Sequence, residues 1–258
     1  MAKKALIVSI SSDIGSALAI KLKKEGYEVY GTSRQISQID HDNLISCDLS
    51  SAESVDKAAA RLMHVMGGWD ILVFAAGAME PVGCFADVDF QEWQNCLTIN
   101  LINPLRLLHK LLPFRQEKAS VLFFAGGGTN NTPTHYSGYI LSKIASIKMC
   151  ELLDAEIPDT RFVIIGPGWV KTKIHETTFA AGNQNAGPNY TRALEIFKNN
   201  SFVPMDDVVD CCYYLLTTAS PAVNGRNFSV QYDKWRESSF EEQLAQDPHK
   251  YKLRRAGN

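Results

Sequence analysis

Between residues 5 and 231 the chain repeats one alternation: a short apolar run, a turn of small or polar residues, then apolar side chains at helical spacing. The runs at 5–9, 28–33, 44–47, 70–76, 120–125, 162–165 and 227–231 read as seven strands. Helical patterns fall at 18–22 (stopping at Gly26), at 51–66 from a Ser51 cap, and at 90–112 after Asp89, bent near Pro104. Others fall at 138–154, at 206–217, and in a short piece at 190–198. Strands joined through helices must run parallel, and their continuous apolar character requires cover on both faces. The predicted fold class is α/β, a doubly wound parallel seven-stranded sheet in three layers. In such a sheet, ligands bind beyond the carboxyl ends of the strands.

Composition narrows the partners. With 258 residues, 45% hydrophobic, the chain can bury one sizeable core, so 1–258 is expected to form a single domain. A formal net charge of −2 leaves no basic excess for nucleic acid, and the longest apolar stretches are strand-length, too short for a membrane span. The N-terminus leads straight into a strand without a signal-peptide pattern. Six cysteines, at 47, 84, 96, 150, 211 and 212, lack Cys-x-x-Cys or zinc spacing and read as reduced core thiols of a cytoplasmic protein without a metal site.

Two stretches carry candidate chemistry. Tyr139 and Lys143 stand four residues apart in a helical pattern with Ile140, Ile144 and Ile147, which puts them on one face. A phenol of pKa about 10 is a poor acid or base near neutrality, and an adjacent ammonium is expected to lower that value. The pair then serves as a general acid/base toward a hydroxyl or carbonyl oxygen, whereas a buried ring beside a solvated lysine is the plainer alternative. Earlier, Ser9-Ile-Ser-Ser-Asp-Ile-Gly15 joins a strand to a helix, as a pyrophosphate-binding turn does, with one glycine of the usual three. Asp13 is expected to cap that helix, compatible with a nucleotide only if its carboxylate turns away from the phosphates. Ser33-Arg34 ends the second strand, where a guanidinium suits a 2′-phosphate, so NADP is expected over NAD.

Asn100 in Thr-Ile-Asn-Leu, Tyr139-Ile-Leu-Ser-Lys143 and Gly166-Pro-Gly-Trp-Val-Lys-Thr172 resemble the short-chain dehydrogenase/reductase family. Cys47-Asp-Leu49, Ala75-Ala-Gly77 and Asn224-Gly-Arg226 support this over nearly the whole chain. The resemblance implies a Rossmann fold and a dimer or tetramer built through the helices at 90–112 and 138–154. It implies an oxidoreductase interconverting a secondary alcohol and a ketone by hydride transfer to or from NADP(H). Tyr139 would be the acid/base, Lys143 would lower its pKa and bind nicotinamide ribose, and Asn100 would hold a water in the proton path. Ser9, Ser11, Ser12 and Ile14 would line the pyrophosphate turn, with Ser33 and Arg34 at the adenosine phosphate. Asp48 and Leu49 would contact adenine, and Ala76 and Gly77 its ribose. Pro167, Gly168, Val170 and Thr172 would position the nicotinamide, Thr172 having helix capping as its alternative.

The chain departs from the family pattern in three places. Gly126, in Ala125-Gly-Gly-Gly-Thr129, stands where the family carries a catalytic serine. Phe74 and Ala75 replace paired asparagines, and two turn glycines are missing. A backbone N–H of 126–128, Thr129 or a substrate hydroxyl would stand in for the serine. A slow enzyme, or a catalytically impaired dinucleotide-binding regulatory or structural subunit, is the alternative. The segment 173–204, mixing rings and amides, is expected to be a substrate lid, with Thr129, His135 and Trp169 facing the substrate. The mix suits a hydroxylated ring or a modest ketone. The tail, 232–258, has no obvious core of its own and is expected to lie over the domain or a neighbouring subunit.

Overall fold

A computed structural model describes residues 2–36 and 43–255. Its strands are β1 Lys4–Val8, β2 Glu28–Ser33, β3 Leu44–Ser46, β4 Trp69–Phe74, β5 Arg115–Phe124, β6 Arg161–Gly166 and β7 Asn227–Ser229. They form one seven-stranded sheet in the order β3-β2-β1-β4-β5-β6-β7, with every neighbouring pair parallel. The chain winds outward from β1 to β3, then returns to place β4 on the other side of β1. That reversal opens a crevice at the carboxyl ends of β1 and β4.

The helices are α1 Asp13–Lys24, α2 Ala52–Met66, α3 Phe90–Leu97, α4 Asn103–Leu111, α5 Ser137–Glu156, α6 Ile174–Ala186, α7 Pro188–Asn199, α8 Met205–Thr217 and α9 Phe240–Gln246. Side chains alternate across the sheet along each strand. Ala5 and Ile7 of β1 pack with Leu18 and Leu22 of α1 and Leu215 of α8. Leu6 and Val8 face the opposite layer, with Leu62 of α2, Leu107 of α4 and Ile147 of α5. All four β1 residues are fully buried, each large one contributing about 1.5–3 kcal/mol. These two layers hold the carboxyl edge of the sheet rigid.

Several expected boundaries shift. The fourth strand starts at Trp69, whose indole donates to Leu111 O at 2.8 Å, and ends at Phe74 rather than 76. The fifth begins five residues early, at Arg115, across a register irregularity, and the seventh stops at Ser229. The helix expected over 90–112 is interrupted by a wider π-type turn, Thr98–Ile102, in which Asn103 N–H reaches back to Thr98 O. The irregularity precedes Pro104 because its ring and missing N–H conflict with the carbonyl four residues earlier, and the added residue absorbs that conflict. Segment 173–204, expected as loop with one short helix, holds two full helices, α6 and α7. Its loop-like residues lie at the joints: Gly182 (φ 71°) kinks α6, Gly187 (φ 55°) ends it, and Pro188 opens α7 where no N–H is needed.

Cys84 is exposed, contrary to expectation, because it sits in the loop after β4; the other five cysteines are buried and all six are unpaired. The described part of the tail, 232–255, folds onto its own chain: Trp235, Phe240 and Leu244 join the cluster around Phe228. The buried Arg226 guanidinium donates to the carbonyls of Ala222, Leu244, Asp247 and Lys250, locking α9 beside β7. Residues 256–258 lie outside the described residues. Among the described residues no helix is long and apolar enough to cross a membrane.

Candidate active site

At the end of β1, Ser9 takes φ 63°, a left-handed conformation costing about 1–2 kcal/mol in a residue with a side chain. It is held there by its N–H to Thr32 Oγ1 (3.2 Å) and by Ser12 N–H to its carbonyl (3.0 Å). Ser12, not Asp13, caps α1, accepting from Gly15 N at 3.1 Å. Asp13 Oδ2 instead accepts from Lys173 N at 2.8 Å, which ties its charge to the base of α6. A Cβ on Gly15 would lie 2.7 Å from both Ser9 O and Ser12 Oγ, so the remaining glycine is required by packing. With Gly15 and Ser16 satisfied by Ser12, the first-turn N–H groups of Asp13 and Ile14 are left to face an anion. Ser33 Oγ donates to Ser11 Oγ at 3.2 Å, and Arg34, exposed beside them, has no partner among the described residues. These groups fit a dinucleotide's phosphates.

Further along the edge, Asp48 Oδ1 accepts from Ser50 N (2.9 Å) and Ser50 Oγ (2.8 Å), leaving Oδ2 open. Leu49 is buried in the core and offers only its backbone to a ligand. Ala76 O accepts from Lys143 Nζ at 3.4 Å. Gly77 lies under Ile174 of α6, whose Cδ1 would be 3.3 Å from an added Cβ.

α5 brings Tyr139 and Lys143 to this edge, with the lysine Nζ 5.6 Å from the tyrosine ring centre. Lys143 is 4% exposed and no carboxylate pairs with it among the described residues. Burial pushes the Tyr139 phenol up to about 12, with a smaller contribution from Cys96. Burial pulls Lys143 down to about 8, against a small opposing effect of Cys96. The expected lowering of the tyrosine is therefore not what this geometry produces: desolvation dominates and favours the neutral form of each group.

Asn100 lies in the π-type turn and is 6% exposed. Its Oδ1 accepts from Ala78 N (2.9 Å), and its Nδ2 donates to Ala78 O (2.7 Å) and Cys96 O (2.9 Å). These three bonds clamp the helix to the loop after β4 and leave one lone pair of Oδ1 unused. Opposite, a Cβ on Gly126 would stand 3.0 Å from Tyr139 Cε1 and Lys143 Cγ and 3.2 Å from Tyr139 Oη. The tyrosine closes directly over the position where the family serine is missing. Thr129 is exposed and bonds to nothing among the described residues.

At the end of β6, Gly168 takes φ 76°, and a Cβ there would meet Val203 at 2.7 Å. Pro167 and Thr172 are half-buried, while Val170 is buried in the core, leaving only its backbone to face a ligand. Lys173 rather than Thr172 occupies the cap of α6. Trp169 stacks on His175 (4.8 Å) and has the Arg192 guanidinium 5.7 Å from its ring centre, so its ring belongs to the lid packing. Tyr136 Oη donates to Thr178 Oγ1 (2.9 Å), and Asn189 Nδ2 to Thr134 O (2.9 Å), pinning α6 and α7 down. Ile174, Ala181 and Ala186 pack in one cluster with Met79, Val82, Tyr136 and Tyr139. Beyond that cluster a cavity of about 480 Å³ opens, with His135 in its wall; Thr129 and Trp169 do not line it. The loop after β4, which supplies Pro81 to Val88 to this cavity, escaped sequence reasoning. Its position at the carboxyl end of a central strand was the available signal. Among the described residues no three His, Cys, Asp or Glu side chains converge as a metal site.

A parallel sheet reversing at β1/β4, an anion-ready turn there, and a tyrosine and lysine one helical turn apart define a Rossmann-type dinucleotide oxidoreductase. A family model described as enoyl-(acyl carrier protein) reductase matches residues 8–232. The human protein "Dehydrogenase/reductase SDR family member 2, mitochondrial" (Homo sapiens) is 25% identical over 240 residues, covering 88% of this chain and 84% of its own. The chain belongs to the short-chain dehydrogenase/reductase family, enzymes that use a nicotinamide dinucleotide. Its fold matches the crystal structure of the KRED1-Pglu enzyme at TM-score 0.79 and 23% identity, covering 87% of this chain and 99% of that one. An actinorhodin polyketide ketoreductase variant with NADPH gives TM-score 0.77 at 20% identity, covering 89% and 95%.

Proposed function

We propose that this enzyme interconverts a secondary alcohol and a ketone with NADP(H), Tyr139 acting as general acid/base. The observation that carries the reading is the Tyr139 phenol lying against the Gly126 backbone, with buried Lys143 one turn below it. The dinucleotide supplies the hydride chemistry. A phenol held neutral by burial is in the state that gives its proton to a carbonyl oxygen during reduction. Lys143 supplies positive charge near that oxygen, and Asn100 fixes the loop whose Ala76 carbonyl receives the lysine. A backbone N–H of 126–128 takes the part of the missing serine, with Gly127 open to a substrate oxygen where Tyr139 and Ile140 cover Gly126 and Gly128. The unpartnered Arg34 beside Ser33 supports NADP over NAD. Segment 173–204 serves as the lid, and residues 1–258 work as one cytoplasmic domain. Exposed Ile102, Leu141 and Leu152 on the outer helices support a dimer or tetramer.

Turnover over a panel of ketones and secondary alcohols, with NADPH and NADH titrated in parallel, tests this reading. Tyr139→Phe should lower reduction by about 10²–10⁴ while leaving dinucleotide affinity nearly intact. Equal turnover in both proteins would remove Tyr139 from the mechanism. Dinucleotide binding without turnover in either would establish the second reading, a binding subunit, which the glycine at 126 favours.

A further inference from the structure

The cavity of about 480 Å³ is a site whose chemistry can be read from its walls. Its size falls within the roughly 300–1,000 Å³ range of small-molecule pockets. It lies between the loop after β4 and the C-terminal end of α6. Pro81, Val82 and Val88 give it an apolar side. Gln184 and Asn185 of α6 reach it with amides that bond to nothing else among the described residues. Asp87 lines it too, and its carboxylate has no cation or hydrogen-bond donor among the described residues. His135 completes the wall. Its Nδ1 faces Thr134 Oγ1 at 2.8 Å, and its ring is packed so closely on Gly187 that a Cβ there would be 2.7 Å from Cε1. His135 itself takes φ 71°, and its carbonyl accepts from Gly83 N at 2.8 Å, so the two walls are held in register.

Among the described residues no lysine or arginine lines this cavity. Each amide offers donors and an acceptor, and the carboxylate accepts only. Hydroxyl groups, which both donate and accept, match that set. A phosphate or carboxylate would meet the exposed Asp87 carboxylate with no compensating cation among the described residues of the wall. The apolar side suits the C–H face of a compact ring or short chain. We propose that the cavity binds an uncharged, polyhydroxylated carbonyl compound or polyol of about monosaccharide size, and that Asp87 excludes anionic counterparts. Val82 belongs both to this wall and to the cluster around Tyr139, so the cavity adjoins the side-chain cluster that holds the phenol. That the ligand is a substrate rests on the oxidoreductase reading; its binding does not.

Cys84 gives a direct readout, being the exposed cysteine of the six and part of the cavity wall. Its alkylation by iodoacetamide, followed by mass spectrometry of the full chain, reports occupancy without turnover. Ribitol, D-glucose and D-fructose are the neutral probes, with glucose 6-phosphate and gluconate as anionic ones. At least one neutral probe should slow alkylation about tenfold at saturation, and the anionic probes should need concentrations more than tenfold higher. Gln184→Ala with Asn185→Ala should raise the half-protection concentration of the neutral probe about tenfold. Asp87→Asn should improve protection by the anionic probes about tenfold. Absence of protection by every neutral probe, or equal protection by anionic ones in the native protein, overturns the proposal. Protection that follows the predicted order, with no dinucleotide-linked turnover, upholds the site and refutes the oxidoreductase reading alone.

Discussion

At the β1–α1 turn the chain is held by backbone atoms at contact distance, whereas segment 173–204 is held over the cleft mainly by rings. In the turn, Ser9, Ser12, Gly15 and Thr32 leave no spare volume, and Gly15 sits where one added carbon would lie 2.7 Å from a main-chain oxygen. In the lid, Phe197 makes edge contacts with His175 (5.7 Å), Phe179 (5.0 Å) and Phe202 (4.9 Å). Backbone sterics tolerate no partial solution, while dispersion contacts are individually small and can be lost one at a time. The turn should therefore fail abruptly and the lid by degrees, which suits a fixed anion site facing an adjustable cover.

Gly15→Val should have the largest effect. Overpacking against Ser9 O should cost about 1–3 kcal/mol of stability and weaken NADPH binding at least ~100-fold. Gly127→Ala, where nothing among the described residues lies within 4 Å of the new carbon, should leave binding within about twofold and serves as the control. Native-like NADPH affinity in Gly15→Val, read by fluorescence titration, would move the phosphate site elsewhere. The lid counterpart is Phe197→Ala. Three aromatic contacts worth about 0.5–1.5 kcal/mol each, partly regained by repacking, predict a loss near 2 kcal/mol and a KM increase of roughly thirtyfold. Dinucleotide affinity should hold. A parallel loss of both would show that the two ends are one cooperative unit.

The same contrast explains what the sequence made legible. Strands such as Leu6-Ile-Val8 are apolar on both faces, and that pattern has few alternatives to a covered parallel strand. Tyr139 and Lys143 were readable because helical spacing alone puts them on one face. The helical lid was not, because Gly182, Gly187 and Pro188 carry loop signals whose use as kink, stop and start depends on tertiary contacts. Ser9's left-handed backbone leaves no mark on its residue type. Asp13 reads as a cap by local rules, and only a partner 160 positions away, Lys173, shows otherwise. Asp87, in the loop after β4, and Gln184 and Asn185, on α6, line one cavity from distant parts of the chain, so no local pattern announces it.

Between the two ends, the buried pair gives a pH signature. Lys143 at about 8 keeps its charge below that value and loses it above, so carbonyl reduction should fall roughly tenfold per unit as pH rises beyond 8. Tyr139 at about 12 stays protonated throughout that range, so the loss belongs to the lysine. Stability should move the other way. From about pH 8 to 10 the unfolded lysine holds a proton that the folded one has released, so this group's contribution to stability rises with pH. Thermal melts at pH 7.5 and 9.5, set against Lys143→Met, read that difference. A native protein whose melting follows the variant's pH dependence would place the lysine in solvent.

The smallest expected effect lies where the two ends touch. Asp13 belongs to the phosphate turn by position and to the lid by its bond, since its carboxylate accepts the Lys173 N–H at the start of α6. A phosphate arriving at the first turn of α1 would repel that carboxylate, and the bond to Lys173 relieves the repulsion by drawing its charge aside. Asp13→Ala removes both features, with opposite consequences. The lid loses a charge-assisted bond of about 1 kcal/mol, so KM should rise about fivefold. The turn loses a nearby negative charge, so NADPH should bind equally well or a few-fold tighter. Asp13→Asn keeps an acceptor for Lys173 and should return KM most of the way while retaining the tighter binding. Weaker NADPH binding in both variants would mean that the carboxylate supports the turn itself, and the division between a rigid anion site and an adjustable cover would fail at its shared residue.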